Sequence, residues 1–332
     1  KNKSIFQKRA NFFQKTILMI KIILFFLIIN KISAYEISMT TISLTTQTNQ
    51  AYLGANFNEC PNELYVGSDA QDLGSDCRRI TLKKNKKTLK LVWHSKVTNA
   101  DYMFSSVSNI TSIDLSQFDT SLITTMNYMF SNSTNLQFIK FSNAVNSLVT
   151  SMDYIFQGCI ALTSVDLTGF QTSKVNSMKG LFMYCIKLSS IDFSSFSTSL
   201  VTNMDSMFLN CSSLSSLNLE SFDTSSVTSM NKMFQSGNFT SLDLSKFNTT
   251  IVNTMAYMFS GCQKLESLDI SHFDTSNVNA MTSMFYFCSS LTSLDVSSFD
   301  TSKVNSMRDM FHNCKALQSL DLSKFKTSSV TT

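Results

Sequence analysis

The sequence predicts an α/β repeat solenoid, and three observations carry that expectation. Residues Cys288 to Phe311, CSSLTSLDVSSFDTSKVNSMRDMF, have counterparts about 26 positions away in either direction. A phenylalanine closes each unit, at Phe104, Phe130, Phe156, Phe182, Phe208, Phe234, Phe259, Phe285 and Phe311, in steps of 26 with one step of 25. Two hydrophobic periods are nested inside each unit, one of two residues and one near three and a half. A fixed period of this length marks stacked supersecondary units, because one such unit cannot bury its own apolar side chains and its neighbours must cover them.

The first period lies in Ser293 to Ser297, where polar and apolar residues alternate. That pattern predicts a short strand with Leu294 and Val296 inward and Asp295 outward. The second lies in Val304, Met307, Met310 and Phe311, spaced as one stripe of a short helix, with Thr301 or Ser302 where an N-cap hydroxyl is wanted. Each unit is therefore expected to run strand, turn, short helix and return. About nine units of 26 residues would stack their strands in a parallel β-ladder. The core columns are then Ile113, Val165, Ile191, Leu217, Leu242, Leu268, Leu294 and Leu320, with a second column from Phe118 and Phe170 through Phe299 to Phe325. The methionines at helical spacing beside phenylalanine belong to the core, not to an adaptable binding groove.

The units, L-x-S-L-D-L-S-x-F-x-T-S-x-V-x-x-M-x-x-M-F-x-x-C, resemble the BspA-like leucine-rich repeats of surface proteins, the DUF285 type, from about Val97 to Thr332. The resemblance implies a leucine-rich-repeat-like stack. It also implies an extracellular or surface-attached recognition protein, adhesin-like in many members, without enzymatic activity. The unit Phe130 to Met152 departs from the pattern, with Ser133 for Cys, Lys140 for Asp and Ala144 for Phe.

Ahead of the array, residues 1–34 carry seven of the 27 basic residues and no acid. From Met19 they read MIKIILFFLIINKISA, the pattern of a secretory signal cleaved after Ala34, with Met19 as a candidate true start and an uncleaved anchor as the alternative. Residues 35–59 are rich in Thr, Ser, Gln and Asn and are expected to form a flexible leader. Residues 60–96 are expected to cap the array, with a β-hairpin formed by Ile80–Leu82 and Thr88–Trp93 pivoting near Asn85. Cys60 and Cys77 lie outside the repeat and close in sequence, which on the secretory route favours a bridge between them. The basic run in this segment is either a solvated hairpin face or a patch for anionic lipid or glycan. The repeats, 97–332, stop in the middle of a unit at Thr332, so the array is expected to continue.

The formal charge of +4 belongs to the leading segment. Without residues 1–34, 20 basic residues face 23 acidic ones, a net of −3, which argues against nucleic acid as a partner. The remaining six cysteines, Cys159, Cys185, Cys211, Cys262, Cys288 and Cys314, share one repeat position that elsewhere holds Val107, Ser133 and Gly237. A slot filled by small residues points to buried free thiols, with inter-rung disulfides or a metal set as the alternatives.

Two columns are candidates for function. The outward strand position gives a ligand-facing strip at Asp166, Asp192, Asp243, Asp269, Asp295 and Asp321, alongside Asp114, Lys140 and Asn218. The competing readings are a structural ladder bonded by the flanking serines and a Ca²⁺-bridged one. The threonines from Thr120 through Thr198 to Thr327 are read as helix caps, with an ordered-water, ice-binding surface as the alternative. Sequons stand at Asn109, Asn132, Asn210, Asn238 and Asn248, candidate glycosylation sites in a secreted chain. His94, His272 and His312 are solitary, no nucleophile elbow or HExxH motif occurs, and no metal or cofactor is expected.

The expected function is non-enzymatic recognition or adhesion at the outside of a cell, binding a protein or glycan on another cell or matrix through the strand face. The alternatives are a passive structural or coat solenoid and the ectodomain of a membrane receptor, anchored by sequence beyond Thr332. Oligomeric state is left open.

Overall fold

The structure is a computed structural model that describes residues 37–44, 50–51, 53–80, 87–93, 97–116, 118–141 and 148–331. The expected signal segment lies outside the described residues, as do the centre of the basic run and His94. Nine strands are described: β1 (Ile37–Leu44), β2 (Gln50–Ala51), β3 (Glu63–Val66), β4 (Asp69–Gln71), β5 (Arg79–Ile80), β6 (Lys87–Trp93), β7 (Ile110–Asp114), β8 (Phe138–Lys140) and β9 (Ser164–Asp166). Seven form one sheet in the order β4-β3-β6-β1-β7-β8-β9, and β2 pairs with β5.

The cap differs from the expected hairpin. Among the described residues β6 lies between β1 and β3, antiparallel to both, and Ile80 pairs with Gln50 of β2; residues 81–86, the rest of the expected hairpin, lie outside the described residues. Leu91, Val92 and Trp93 in β6 are all buried, so apolar side chains leave both of its faces, as in a strand covered on both sides. The hairpin is instead β3–β4, turned by Gly67 and Ser68 with Gly67 at φ 64°; glycine takes that backbone without steric cost. The 35–59 segment is likewise not a flexible leader throughout. Its β-branched ISMTTISL stretch forms β1 and joins the cap to the array by pairing with both β6 and β7. Cys60 and Cys77 are disulfide-bonded, with Cα atoms 5.8 Å apart. Trp93 closes the cap over the first unit, packing its ring edgewise on Phe118 with centroids 6.0 Å apart.

In the array, successive units lie in register. Parallel bridges run from Asn99 to Thr125, Ser151, Ser177, Asn203, Ser229, Thr254, Ala280 and Ser306. The closing phenylalanines stack face to face from Phe104 to Phe311, with centroids 5.1 to 6.1 Å apart. Met126, Met152, Met178, Met204 and Met230 are 0 or 1% exposed, so the methionine stripe is core.

The segment expected to be helical is a chain of turns, and no helix occurs among the described residues. Two residues in every unit take positive φ, for example Tyr128 at 57° and Asn132 at 59°. In this segment Met129 N–H and Ser133 N–H close tight turns on Met126 and Phe130, while Met126, Tyr128, Phe130 and Asn132 donate to carbonyls of the next unit. The hydrophobic spacing of a helix is thus produced by turns that send alternate amides along the stack. Left-handed backbone costs roughly 1 kcal/mol for a residue other than glycine; here it satisfies amides that a one-turn helix would leave without partners.

The strand segment also differs from the expectation. Paired strands occupy it only in the first three units, as β7, β8 and β9, where the cap sheet runs into the array. The continuous ladder runs instead through the residue before each Met.

The threonine column does not cap helices and is not an exposed hydroxyl rank. Thr198 is 1% exposed; its hydroxyl donates to the Asp223 carbonyl at 2.8 Å and accepts the Asp223 N–H at 2.8 Å. Thr224 and Thr301 clamp the following unit in the same way. Burial removes the ice-binding reading.

The unit with the 25-residue step shows how the stack absorbs a deletion. One residue fewer separates Phe234 from the next core position, which Phe239 fills. A Cβ on Gly237 would stand 2.1 Å from the Phe239 ring, so glycine is required for the ring to swing in.

Candidate functional site

Asp192, Asp243, Asp269, Asp295 and Asp321 are exposed at the same position of successive units, and Asp166 is half-buried. Each is fixed by a local turn in which one carboxylate oxygen accepts the N–H two residues on. The partners are Thr168 for Asp166 (3.0 Å), Ser194 for Asp192 (2.8 Å), Ser245 for Asp243 (2.9 Å), Ser271 for Asp269 (3.1 Å), Ser297 for Asp295 (2.8 Å) and Ser323 for Asp321 (2.8 Å). Short polar side chains that bond their own backbone in this way favour turns. Hydrogen bonds from the serine hydroxyl and then its N–H hold Asp243, Asp269, Asp295 and Asp321 below the usual carboxylate range; at Asp192 the N–H is the larger cause. The serines expected to flank the strip as neutral donors therefore hold it, using one oxygen of each carboxylate. From Asp243 to Asp321 the residue so held is exposed in each unit. Lys140 and Asn218 interrupt the run, so its longest uninterrupted acidic stretch is Asp243, Asp269, Asp295 and Asp321.

Beside Asp243 is a shallow cleft of about 330 Å³ lined by Asn218, Glu220, Asp243, Ser245 and Lys246 together with Leu217 and Leu219. It flanks the shortened unit.

Two further polar columns escaped the sequence reading. Asp119, Asp223, Asp274 and Asp300 follow the second core phenylalanine and hold the N–H of Ser121, Ser225, Ser276 and Ser302 at 2.9 to 3.0 Å. Their spacing was visible, but the variable residues at 171, 197, 248 and 326 obscured it. The other column is aromatic: Tyr102, Tyr128 and Tyr154 stack at 5.0 and 4.9 Å, with Lys179 over the Tyr154 ring at 5.9 Å.

The six cysteines form a column of free thiols, five buried and Cys314 half-buried. Each S–H points at the carbonyl of a phenylalanine in the preceding unit, as Cys185 does at Phe156 (3.0 Å) and Cys211 at Phe182 (3.0 Å). Ser133 makes the same contact to Phe104 with its hydroxyl. Burial pushes Cys159, Cys211 and Cys262 up to about 12, and Cys185 well above its ordinary value. Thiols held protonated are unreactive. No group of three or more His, Cys, Asp or Glu able to hold a metal occurs among the described residues.

The sequons differ in access. The amide nitrogen of Asn109 is buried, so a glycan there is incompatible with this packing. Asn210 and Asn238 are half-buried, whereas Asn132 and Asn248 are exposed. The Oδ1 of Asn248 accepts the Thr250 N–H at 3.0 Å, leaving its amide nitrogen outward.

A family model described as "Mycoplasma protein of unknown function, DUF285" matches the chain over residues 83–163, 150–268 and 235–332, so the matches together run from 83 to 332. No curated protein and no solved structure matches it.

Proposed function

This chain belongs to the DUF285 family, and from that premise we propose that it is a non-enzymatic recognition or adhesion protein, displayed or secreted outside the cell, that binds a protein or glycan through its carboxylate strip. The observation that carries the reading is the repetition of one exposed, serine-fixed carboxylate per unit from Asp243 to Asp321. Fixed charges in register suit an extended partner and cost little ordering on contact. The finer kinship, to BspA-like leucine-rich repeats of surface proteins in a solenoid of that type, belongs to the same proposal. It is supported by the nine-fold recurrence of the unit. Secretion is supported by the apolar run after Met19 and by the Cys60–Cys77 bridge, a bond kept in oxidising compartments.

The test is attachment of beads coated with the full chain to cultured cells and to surfaces coated with basic or neutral glycoproteins. Asp269→Asn, Asp295→Asn and Asp321→Asn together keep the turn-closing acceptor and remove the charge. Attachment at least tenfold weaker, with the wild type sensitive to salt, is expected. Equal attachment by the triple variant overturns the strip, and self-association seen by light scattering without attachment would favour a coat element.

A further inference from the structure

A second cleft, also about 330 Å³, lies where the cap meets the first unit. Its polar lining is Asn56, Asn58 and Glu59 from the cap and Asn99, Asp101 and Tyr102 from the array, and the buried Phe57 also lines it. We propose that this cleft is a carbohydrate-binding site, separate from the carboxylate strip and taking a sugar residue with vicinal hydroxyls.

The walls are held by backbone contacts. Gly54 N–H donates to the Met103 carbonyl at 2.8 Å and Phe57 N–H to the Gly54 carbonyl at 3.1 Å. Arg78 Nη1 donates to the Ala55 carbonyl at 2.7 Å and Trp93 Nε1 to the Glu59 carbonyl at 3.2 Å. A Cβ on Gly54 would lie 2.0 Å from the Tyr102 carbonyl oxygen, so only glycine lets the cap loop sit this close to the unit. The cleft is therefore preformed, and a ligand meets it without first ordering a loop.

The hydrogen-bonding groups left over specify the ligand. Asn99 Oδ1 accepts the Asp101 N–H at 2.7 Å, which leaves its NH₂ as the spare group. Asp101 Oδ1 accepts the Asn127 N–H at 2.6 Å, leaving Oδ2 as an acceptor. The Glu59 carboxylate adds acceptors, and Asn56 and Asn58 each bring both kinds. A cation would use the acceptors and strand the amide donors; an anion would meet two carboxylates. A hydroxyl donates and accepts at once, and a vicinal pair matches the planar fork of an amide or carboxylate. Tyr102 is the first ring of its column. Tyr128 covers one of its faces at an interplanar angle of 1°, and among the described residues no ring covers the other. As part of the cleft lining, the half-exposed Tyr102 ring supplies apolar surface for the C–H side of a sugar ring, the usual complement to polar forks around a pyranose.

The experiment is saturation-transfer NMR on the full chain with methyl glycosides of glucose, galactose, mannose and N-acetylglucosamine, followed by titration of any that respond. Binding by at least one glycoside is expected, weakened tenfold or more by Asn99→Ala and by Glu59→Ala. Asn99 is exposed and Glu59 half-buried, both outside the core, and an unchanged thermal transition would show that the fold is kept. Tyr102→Phe, which preserves the ring face, should bind as the wild type does, and the Asp269/Asp295/Asp321 triple variant should be unaffected. No response from any glycoside, equal affinity in the Asn99 and Glu59 variants, or a stronger response to methylguanidinium than to every sugar overturns the assignment.

Discussion

The array and the cap both have to satisfy a backbone around an apolar interior, and they do it by opposite means. In the array most contacts belong to a column: Phe208 stacks between Phe182 and Phe234, Thr198 clamps the next unit, and Cys211 meets the carbonyl of Phe182. In the cap every contact occurs once. β6 is wedged between two antiparallel partners, one disulfide ties Cys60 to Cys77, and one indole covers the first unit. A column makes stability a sum of nearest-neighbour terms, whereas a single-use arrangement depends on its covalent tie and on one strand order. The two regions should therefore fail separately.

The largest effect is expected at the centre of the array. Phe208→Ala removes a fully buried ring that meets Phe182 and Phe234 face to face and Phe193 edgewise at 5.8 Å. A loss of about 3–5 kcal/mol is expected in chemical denaturation. Hydrogen exchange should rise in the units on either side and stay unchanged at Leu89 and Leu91 of the cap. Equal loosening of the cap would show that the two regions are one cooperative block. The complementary experiment is Cys60→Ser with Cys77→Ser. Losing a bridge across a separation of 17 residues should cost about 3 kcal/mol on the loop-entropy account. Faster exchange should then be confined to β3, β4 and β6.

The same contrast explains what was legible in the sequence. The closing phenylalanines, the methionine core and the small-residue cysteine slot repeat in nearly every unit, so chance identities average out and burial is read from the column. The helix was misread because turns with two left-handed residues per unit place apolar side chains three and four apart, as a helix does; hydrophobic period reports which side chains face inward, not the sign of φ. Tyr128 carries no mark of positive φ of its own; the marks lie in the column, where Gly180 takes its slot and Gly158 and Gly261 take that of Asn132. The cap offered no repetition to average over. The pairing of Thr88–Trp93 with Ile80–Leu82 across Asn85 is the local expectation, and nothing local marks the pairing of β6 with β1 and β3. At the strip, the aspartates and serines were both visible, but which oxygen is free depends on turn geometry that spacing does not encode.

A smaller effect tests a place where the array has a single-use contact of its own. Gly237→Ala puts a methyl group where the Phe239 ring lies, and a loss of about 1–3 kcal/mol is expected in thermal denaturation, as for overpacking elsewhere. Inserting one serine after residue 237 together with Gly237→Cys restores the 26-residue step and should recover most of that loss. If the insertion is as damaging as alanine alone, the glycine serves something other than the deletion.

The smallest effect at neutral pH belongs to the cysteine column, where Ser133 already shows that a hydroxyl makes the same contact. Cys211→Ser should change stability by about 1 kcal/mol or less, and Cys211→Val, which deletes the donor while the Phe182 carbonyl keeps the Cys185 backbone N–H at 3.0 Å, by a similar amount. The column is better resolved at high pH. Burial raises the Cys211 thiol from an ordinary 9.0 to about 12, so above pH 9 the unfolded chain loses this proton while the folded chain keeps it. The stabilisation is complete below pH 9 and is lost as pH climbs toward 12, by up to about 1.4 kcal/mol per pH unit for each such thiol. Cys159 and Cys262 share the shift, so the wild type should weaken steeply across this window. Cys211→Ser should weaken less steeply by one thiol's share, and Cys60→Ser with Cys77→Ser, which touches none of these groups, should leave the difference between pH 9 and pH 11 in place. Urea midpoints at those two pH values measure it; a serine variant with the wild-type slope would mean that the Cys211 thiol ionises as readily in the fold as outside it, and that the column is not closed to water.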